Sequence, residues 1–443
     1  MMPFEDFFKG KKITVLGLGL LGRGVGDAEF LAQCGAEVLV TDKKTESELA
    51  ESVARLKQYP NISYRLGRHL KEDFTSCDMV IKAAGVRLDS PEIAAARAAG
   101  IPVYMSTALF AKFAREMGAT IVGITGTRGK STVTQMMYHV LRNAGTSVRL
   151  GGNVRGVSTL ALLPQVQEGD ICVLELDSWQ LQGFGDLQIS PQVSVCTNLM
   201  PDHQNYYSSM DDYFNDKANI FLNQKEGDTC IVGETLIERI RSMRLQVVPR
   251  TPREFSADWK LQIQGEHNVS NAAFAVEALR ALGVSQNDIK TGIESFAGVE
   301  GRLQFVREIK GVKIYNDNNA TMPEATIAAL RALTPSKLEA RSSKLILIMG
   351  GSDKGLDMSQ LLYEIAGSCK RVILLAGTGT DRIVPLMADY PVFDSLEVAV
   401  HEAVQSAVPG DTILFSPAFA SFGMFKNEYE RNDAFLTIVR NLT

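Results

Sequence analysis

The chain has 443 residues, 45% of them apolar, with a formal net charge of −5. That length is too great for one hydrophobic core and calls for two to four domains. The signs are well mixed, without a Lys/Arg block to hold nucleic acid, and no apolar run of about 18 residues exists to span a membrane.

The first α/β unit covers residues 1–105. The charged stretch Met1 to Lys12 lacks the apolar run of a leader, so a soluble cytoplasmic enzyme is expected. Ile13 to Leu16 reads as a strand, followed by Gly17-Leu18-Gly19-Leu20-Leu21-Gly22 and a helix to Cys34. The next strand, Glu37 to Thr41, runs into Asp42, 20 residues past Gly22. This is the G-x-G-x-x-G turn with a distal acid that holds a nucleotide's phosphates and ribose; a purely structural turn is the plain alternative. Met79 to Lys82 and Ile101 to Val103 complete the strands.

The second unit covers residues 106–300 and opens with the strand Thr120 to Ile124. Gly126-Thr127-Arg128-Gly129-Lys130-Ser131-Thr132 follows, then a helix to Leu141. Strand, Gly-rich loop with Lys-Ser and helix N-terminus together make a polyphosphate site. Lys130 would reach the β/γ-phosphates and Ser131 would hold Mg²⁺. The loop departs from the standard G-x-x-x-x-G-K-S spacing.

Further strands are Ile171 to Leu176 and Val193 to Thr197, each apolar enough for a sheet covered on both faces. Glu175, at the end of the first, is a candidate Mg²⁺ ligand or a plain solvated acid. Asp202-His203 follows the second; the pair suits metal binding, or a surface histidine. Lys217, within a helical stretch Met210 to Phe221, reads on composition as a solvated lysine. Asn268 and Asn271 open the helix that continues to Leu282. Such an Asn either caps a helix or reads a base edge, and spacing does not choose.

The third unit covers residues 301–443. Strands Val312 to Tyr315, Leu345 to Met349, Val372 to Ala376 and Thr412 to Phe415 alternate with helices. Polar turns follow three of them: Asn316 to Thr321, Gly350 to Gly355 with Lys354, and Ser416 to Ser421. The six cysteines form no C-x-x-C pair, so free thiols in a reducing compartment are expected. The fold expected is α/β in three consecutive domains: a Rossmann-like first domain, a central P-loop ATPase-like domain and a Rossmann-like third.

These strings together resemble the Mur ligases of peptidoglycan precursor synthesis, over nearly the whole chain. The likeness rests on Gly17 to Gly22, Gly123 to Thr132, Gly151-Gly152-Asn153-Val154, Leu174 to Leu181 and Asn198 to His203. It continues through Glu266 to Val269, Arg302-Leu303, Asn316-Asp317 and Ser416 to Ala418.

The resemblance implies a monomeric ligase that uses ATP and Mg²⁺ at two sites to join D-glutamate to UDP-N-acetylmuramoyl-L-alanine. An acyl phosphate would be the intermediate. A ligase adding L-glutamate or another amino acid to the same nucleotide is the alternative. By the same resemblance Lys130 stabilises the moving phosphoryl group, and Ser131 with Glu175 holds one metal. His203 serves the second metal with Lys217, if that lysine carries a carbamate. Gly126 to Thr132, Asn268, Asn271, Arg302 and Asp317 would bind ATP. Gly17, Gly19, Leu20, Leu21, Gly22, Asp42 and Asn153 would hold the nucleotide substrate, and Lys354 and Ser421 the amino acid.

Four departures from the family pattern are visible, one of them the stretch Val86 to Pro91, with Asp89, in place of the usual short S-P-G run on the sugar side. Arg128 stands in place of Asn, Asn319 in place of Lys, and Glu428 in place of an aromatic residue. The last two alter the charge near the amino-acid pocket.

Overall fold

The computed structural model describes residues 2–18, 22–202, 206–243, 245–253, 258–263, 265–334, 344–387 and 390–442. Gly19, Leu20, Leu21 and His203 lie outside them. The fold is α/β throughout and holds three sheets. Two compact units form: Met1–Ala257 with Asn271–Gly292, and Asp258–Ser270 with Ile293–Thr443.

The first sheet comprises β1 (Lys12–Leu16), β2 (Glu37–Asp42), β3 (Ile62–Leu66), β4 (Met79–Lys82) and β5 (Val103–Tyr104). All pair in parallel in the order β3-β2-β1-β4-β5. Strand order reverses between β1 and β4, where a doubly wound sheet leaves its ligand crevice. The last strand begins at Val103 rather than Ile101 and ends at Tyr104, with the Pro102 carbonyl accepting from Val80 N just before it.

The second sheet comprises β6 (Thr120–Thr125), β7 (Val148–Gly152), β8 (Ile171–Glu175), β9 (Val193–Cys196) and β10 (Thr229–Val232). It is also parallel, in the order β10-β9-β6-β8-β7. These two sheets share one core. The short N-terminal helix Pro3–Phe8 links them. Phe8 is fully buried and sets its ring 5.9 Å from both Phe30 and Phe113, while Phe7 lies 5.3 Å from Phe113. Phe30 belongs to the helix after the first Gly-rich turn, and Phe113 to the helix Ser106–Glu116 that leads into β6.

The third sheet belongs to the other unit. It comprises β11 (Gln304–Ile309), β12 (Val312–Asn316), β13 (Leu345–Gly350), β14 (Cys369–Leu375), β15 (Val392–Phe393) and β16 (Thr412–Phe415). Its order is β11-β12-β16-β13-β14-β15, with only β11–β12 antiparallel. All six residues of β13 are buried, as helices on both faces of a parallel sheet require. No helix among the described residues is long and apolar enough to cross a membrane.

Candidate active site

The phosphate loop occupies the turn between β6 and the helix Lys130–Asn143, with Gly129 as N-cap. Gly126 has φ +142° and Gly129 φ +84°. A Cβ on Gly126 would collide with Thr197 Oγ1, and one on Gly129 with Asn271 Oδ1. Glycine is therefore demanded at both positions by backbone conformation and by close approach.

The loop is clamped from β9's end. Thr197 Oγ1 donates to Arg128 O at 2.6 Å, and Arg128 N donates to Asn198 Oδ1 at 2.9 Å. Thr127 N donates to Asn198 O at 3.0 Å. A Gly-rich loop held in this way at a helix start, fixed before any ligand arrives, fits a polyphosphate. Lys130 Nζ donates to the loop carbonyls of Gly126 and Thr127, at 3.0 and 3.1 Å.

Lys217 is not the solvated lysine that composition implied. It is 2% exposed, in the helix Met210–Ala218. Its Nζ donates to Gly126 O at 3.0 Å and Thr125 Oγ1 at 3.3 Å, and lies 4.7 Å from the Tyr213 ring centre. Burial, with the nearby Lys130 charge, pulls its pKa down to about 7. Near neutrality the amine is thus substantially uncharged, a state in which nitrogen is a nucleophile.

Glu175 is buried at the end of β8, the strand beside β6. Its carbonyl accepts from Asn153 N at 2.7 Å, and its Oε1 faces Asn153 Nδ2 at 3.5 Å, long for a hydrogen bond. Gly152 makes this possible: φ is +85°, and any Cβ there would run into the Glu175 carbonyl. Ser131 opens the helix. A hydroxyl and a carboxylate are hard oxygen donors, a set that suits Mg²⁺, which takes few protein ligands and shares the rest with phosphates and water.

In the first sheet, Asp42 ends β2. Its Oδ2 accepts from Leu18 N at 2.9 Å and its Oδ1 from Lys44 N at 3.0 Å. A cavity of about 530 Å³ opens there, lined by Gly17, Asp42, Lys43, His69 and the loop Gly85 to Glu92. It lies at the β1/β4 switch point, the expected place for a nucleotide. Gly22 caps the following helix in the left-handed conformation.

In the other unit, Asp317 follows β12. Its Oδ1 accepts from Leu303 N at 3.0 Å and its Oδ2 from Ser416 Oγ at 2.8 Å. Burial pushes its pKa up to about 7. Arg302, exposed and next in sequence to Leu303, lowers that pKa through its charge. Lys354 Nζ donates to Thr321 Oγ1 at 2.9 Å, joining two of the polar turns, and Ser421 is buried in the third. Asn268 is buried at the start of the helix Glu266–Ala281. Among the described residues no three His, Cys, Asp or Glu side chains gather as a metal site.

Three family descriptions match in succession. They are Mur ligase MurD-like, N-terminal domain, over residues 11–105; Mur ligase middle domain, over 124–247; and Mur ligase, glutamate ligase domain, over 301–419. The UDP-N-acetylmuramoylalanine–D-glutamate ligase of Roseiflexus sp. (strain RS-1) is 35% identical, across 98% of this chain and 99% of that one. The chain belongs to the Mur ligase family. The ligase of the same description from Borreliella burgdorferi (strain ZS7) is 34% identical across 99% of both chains. Among solved structures, the Mur ligase fold is shared with the UDP-N-acetylmuramate-alanine ligase MurC of Thermotoga maritima. The TM-score is 0.60 at 18% identity, covering 97% of this chain and 99% of that one. The MurF ligase of the same organism, in complex with ADP, gives 0.57 at 18% identity, covering 91% and 94%.

This Mur ligase also holds residues that its sequence did not single out. Arg431, 1% exposed, donates from Nε to Asn318 Oδ1 at 2.8 Å, from Nη2 to Asn318 O at 3.0 Å and from Nη1 to Phe419 O at 3.3 Å. It ties the turn after β12 to the turn after β16. Glu428, whose charge seemed set to repel an acidic substrate, acts on Arg431, where it opposes the fall in pKa that burial causes. Asn319 donates to Glu300 O at 3.3 Å instead of placing a cation there. The two stand three residues apart on the helix Glu428–Asn441, so the acid-for-aromatic exchange comes with a buried guanidinium one turn away, a spacing visible in the sequence.

Proposed function

We propose that the chain is an ATP-dependent amide-forming ligase that joins D-glutamate to UDP-N-acetylmuramoyl-L-alanine in peptidoglycan precursor synthesis. One observation carries the reading. A phosphate loop with a buried lysine against it and a carboxylate on the neighbouring strand lies in a chain similar, end to end, to D-glutamate ligases.

A carboxylate is a poor electrophile, so the terminal phosphoryl group of ATP first passes to the alanyl carboxylate, giving an acyl phosphate and ADP. The amino group of D-glutamate attacks that carbonyl, and phosphate leaves from the tetrahedral intermediate as the amide forms. The work of the chain is charge management. Lys130 offsets charge on the moving phosphoryl group, and the loop N–H groups hold the phosphates still. Mg²⁺, held by Ser131 and Glu175, would neutralise phosphate charge. A second site would involve His203 and a carbamylated Lys217. An uncharged Nζ adds to CO₂ with loss of one proton, turning a lysine into an anion able to orient a cation. Asp42 faces the uridine side, Asn153 the substrate side, Asn268, Asn271, Arg302 and Asp317 the ATP, and Lys354 and Ser421 the carboxylates of the amino acid.

On this reading, boundaries near residues 105 and 300 would divide the nucleotide, ATP and amino-acid domains, and the use of ATP with a UDP-linked substrate supports a cytoplasmic enzyme. Phosphate release and product mass are measured with Mg²⁺, ATP, UDP-N-acetylmuramoyl-L-alanine and a panel of amino acids. Release that depends on D-glutamate is expected. Release with L-glutamate only overturns the substrate, and no ADP with any amino acid overturns the ligase.

A further inference from the structure

The Gly85–Glu92 wall of the nucleotide cavity ends in a side chain that the scheme above leaves unused. Arg87 lines that cavity. Its Nε and Nη2 donate to the two oxygens of Asp89, at 2.8 and 2.9 Å. Its Nη1 donates to the Tyr206 carbonyl at 3.1 Å, and the guanidinium lies 4.7 Å from the centre of the Tyr206 ring. A guanidinium has five N–H groups, so one on each terminal nitrogen remains for a ligand. Guanidinium N–H groups suit phosphate oxygens.

Both ends of this side chain are held. Beneath the loop, buried Lys82 donates to Val86 O at 3.1 Å and fixes the backbone that carries Arg87. Beyond it, Tyr206 belongs to a ladder of rings. Tyr206–Tyr207 centroids are 4.8 Å apart and Tyr207–Tyr213 centroids 5.1 Å, and Lys217 Nζ lies 4.7 Å from the Tyr213 ring centre. Gln182 and Asp216 pin the ladder from the side. Gln182 Nε2 donates to the Tyr206 hydroxyl at 3.1 Å and to Asp216 Oδ2 at 2.8 Å, and Tyr207 donates to that same oxygen at 2.8 Å.

The other charges on the cavity wall do not supply a cation so placed. Lys43, its side chain 74% exposed, pairs loosely with Glu92 at 3.6 Å, and burial lowers the pKa of His69. Asp42 spends both oxygens on backbone N–H groups.

We infer that Arg87 binds the diphosphate of the uridine nucleotide and, through the Tyr206 ladder, holds the substrate in register with Lys217. Arg87 is a specificity and positioning residue that reads a nucleoside diphosphate. The inference rests on the uridine-nucleotide reading above.

Calorimetric titration of the full chain with uridine and with UDP, without ATP, separates the two. Wild type is expected to prefer UDP. Arg87→Ala should weaken UDP about tenfold or more and leave uridine unchanged, while Arg87→Lys recovers part of the loss. In turnover, KM for the muramoyl nucleotide rises and KM for ATP does not. Tyr206→Leu keeps the charge and loses its platform; a two- to fivefold shift for UDP is expected, about the worth of an exposed cation–π contact. Arg87→Ala binding UDP as tightly as wild type, or losing uridine and UDP alike, overturns the role of Arg87. Unchanged UDP affinity in Tyr206→Leu overturns the bridge. A wild-type chain that binds neither ligand overturns the uridine reading and this inference with it.

Discussion

Lys217 gives the sharpest test of the catalytic reading. An ordinary lysine, near 10.5, is uncharged in only about 3 molecules per 10,000 at pH 7. With its pKa held near 7 by burial, Lys217 is uncharged in about half. The gain in nucleophilic amine is roughly a thousandfold. Carbamate loading follows the uncharged fraction, so activity should rise with pH through about 7, not through about 10. The same shift has a stability consequence with a definite sign. Between about 7 and 10.5 the unfolded chain binds a proton that the folded one does not, so stability rises with pH across that window. Lys217→Met should remove that rise and abolish turnover. The assay is carbon-13 NMR with labelled bicarbonate, run beside initial rates in CO₂-depleted and CO₂-replete buffer. A carbamate resonance is expected in wild type and none in Lys217→Met. An activity limb that titrates above about 9, or rates indifferent to CO₂ with no labelled adduct, would refute the argument.

Lys130→Ala should cut ADP formation about 100- to 1,000-fold, the usual worth of one group aimed at developing charge, while calorimetric UDP affinity stays at the wild-type value. Asp317 holds a proton, when folded, that the unfolded chain releases between about 3.8 and 7, so its contribution to stability falls as pH rises across that range. Denaturation at about pH 5 and about pH 8 should show Asp317→Asn flattening this dependence; an unchanged slope counts against it. Phe8→Ala should cost about 3–5 kcal/mol in chemical denaturation, because Phe8 is fully buried against both Phe30 and Phe113; a cost under 1 kcal/mol would show that the helix Pro3–Phe8 does not join the two sheets.

What the sequence disclosed follows from how far apart the cooperating residues lie. The phosphate loop was legible because strand, turn and helix N-terminus are contiguous, and the structure places β6, Gly129 and the Lys130 helix in that order. The place of Asp42 at the end of β2, one strand after the first Gly-rich turn, was legible from a similarly short stretch of chain. Strands Met79 to Lys82 and Thr412 to Phe415 stand with the bounds their apolar runs implied. Edge strands β3, β7 and β11 carry polar residues and gave no such run. Lys217 was opaque because its burial depends on Gly126, some 90 positions earlier, and only family resemblance raised it. Arg87 and Tyr206 stand 119 positions apart, and Arg431 meets Asn318 across 113. Neither pairing leaves a periodic or spacing signal, since each is made by folding alone.

The turn at Gly152 ties two duties to one short piece of backbone. With no side chain there, Asn153 reaches the carbonyl of Glu175, so the residue proposed for the substrate side and the one proposed for the metal share a single rigid joint. Neither can be retuned independently: a methyl group at that joint would shift both at once. Altered substrate tolerance in this ligase would therefore have to arise elsewhere along the cavity wall, leaving this hinge point untouched.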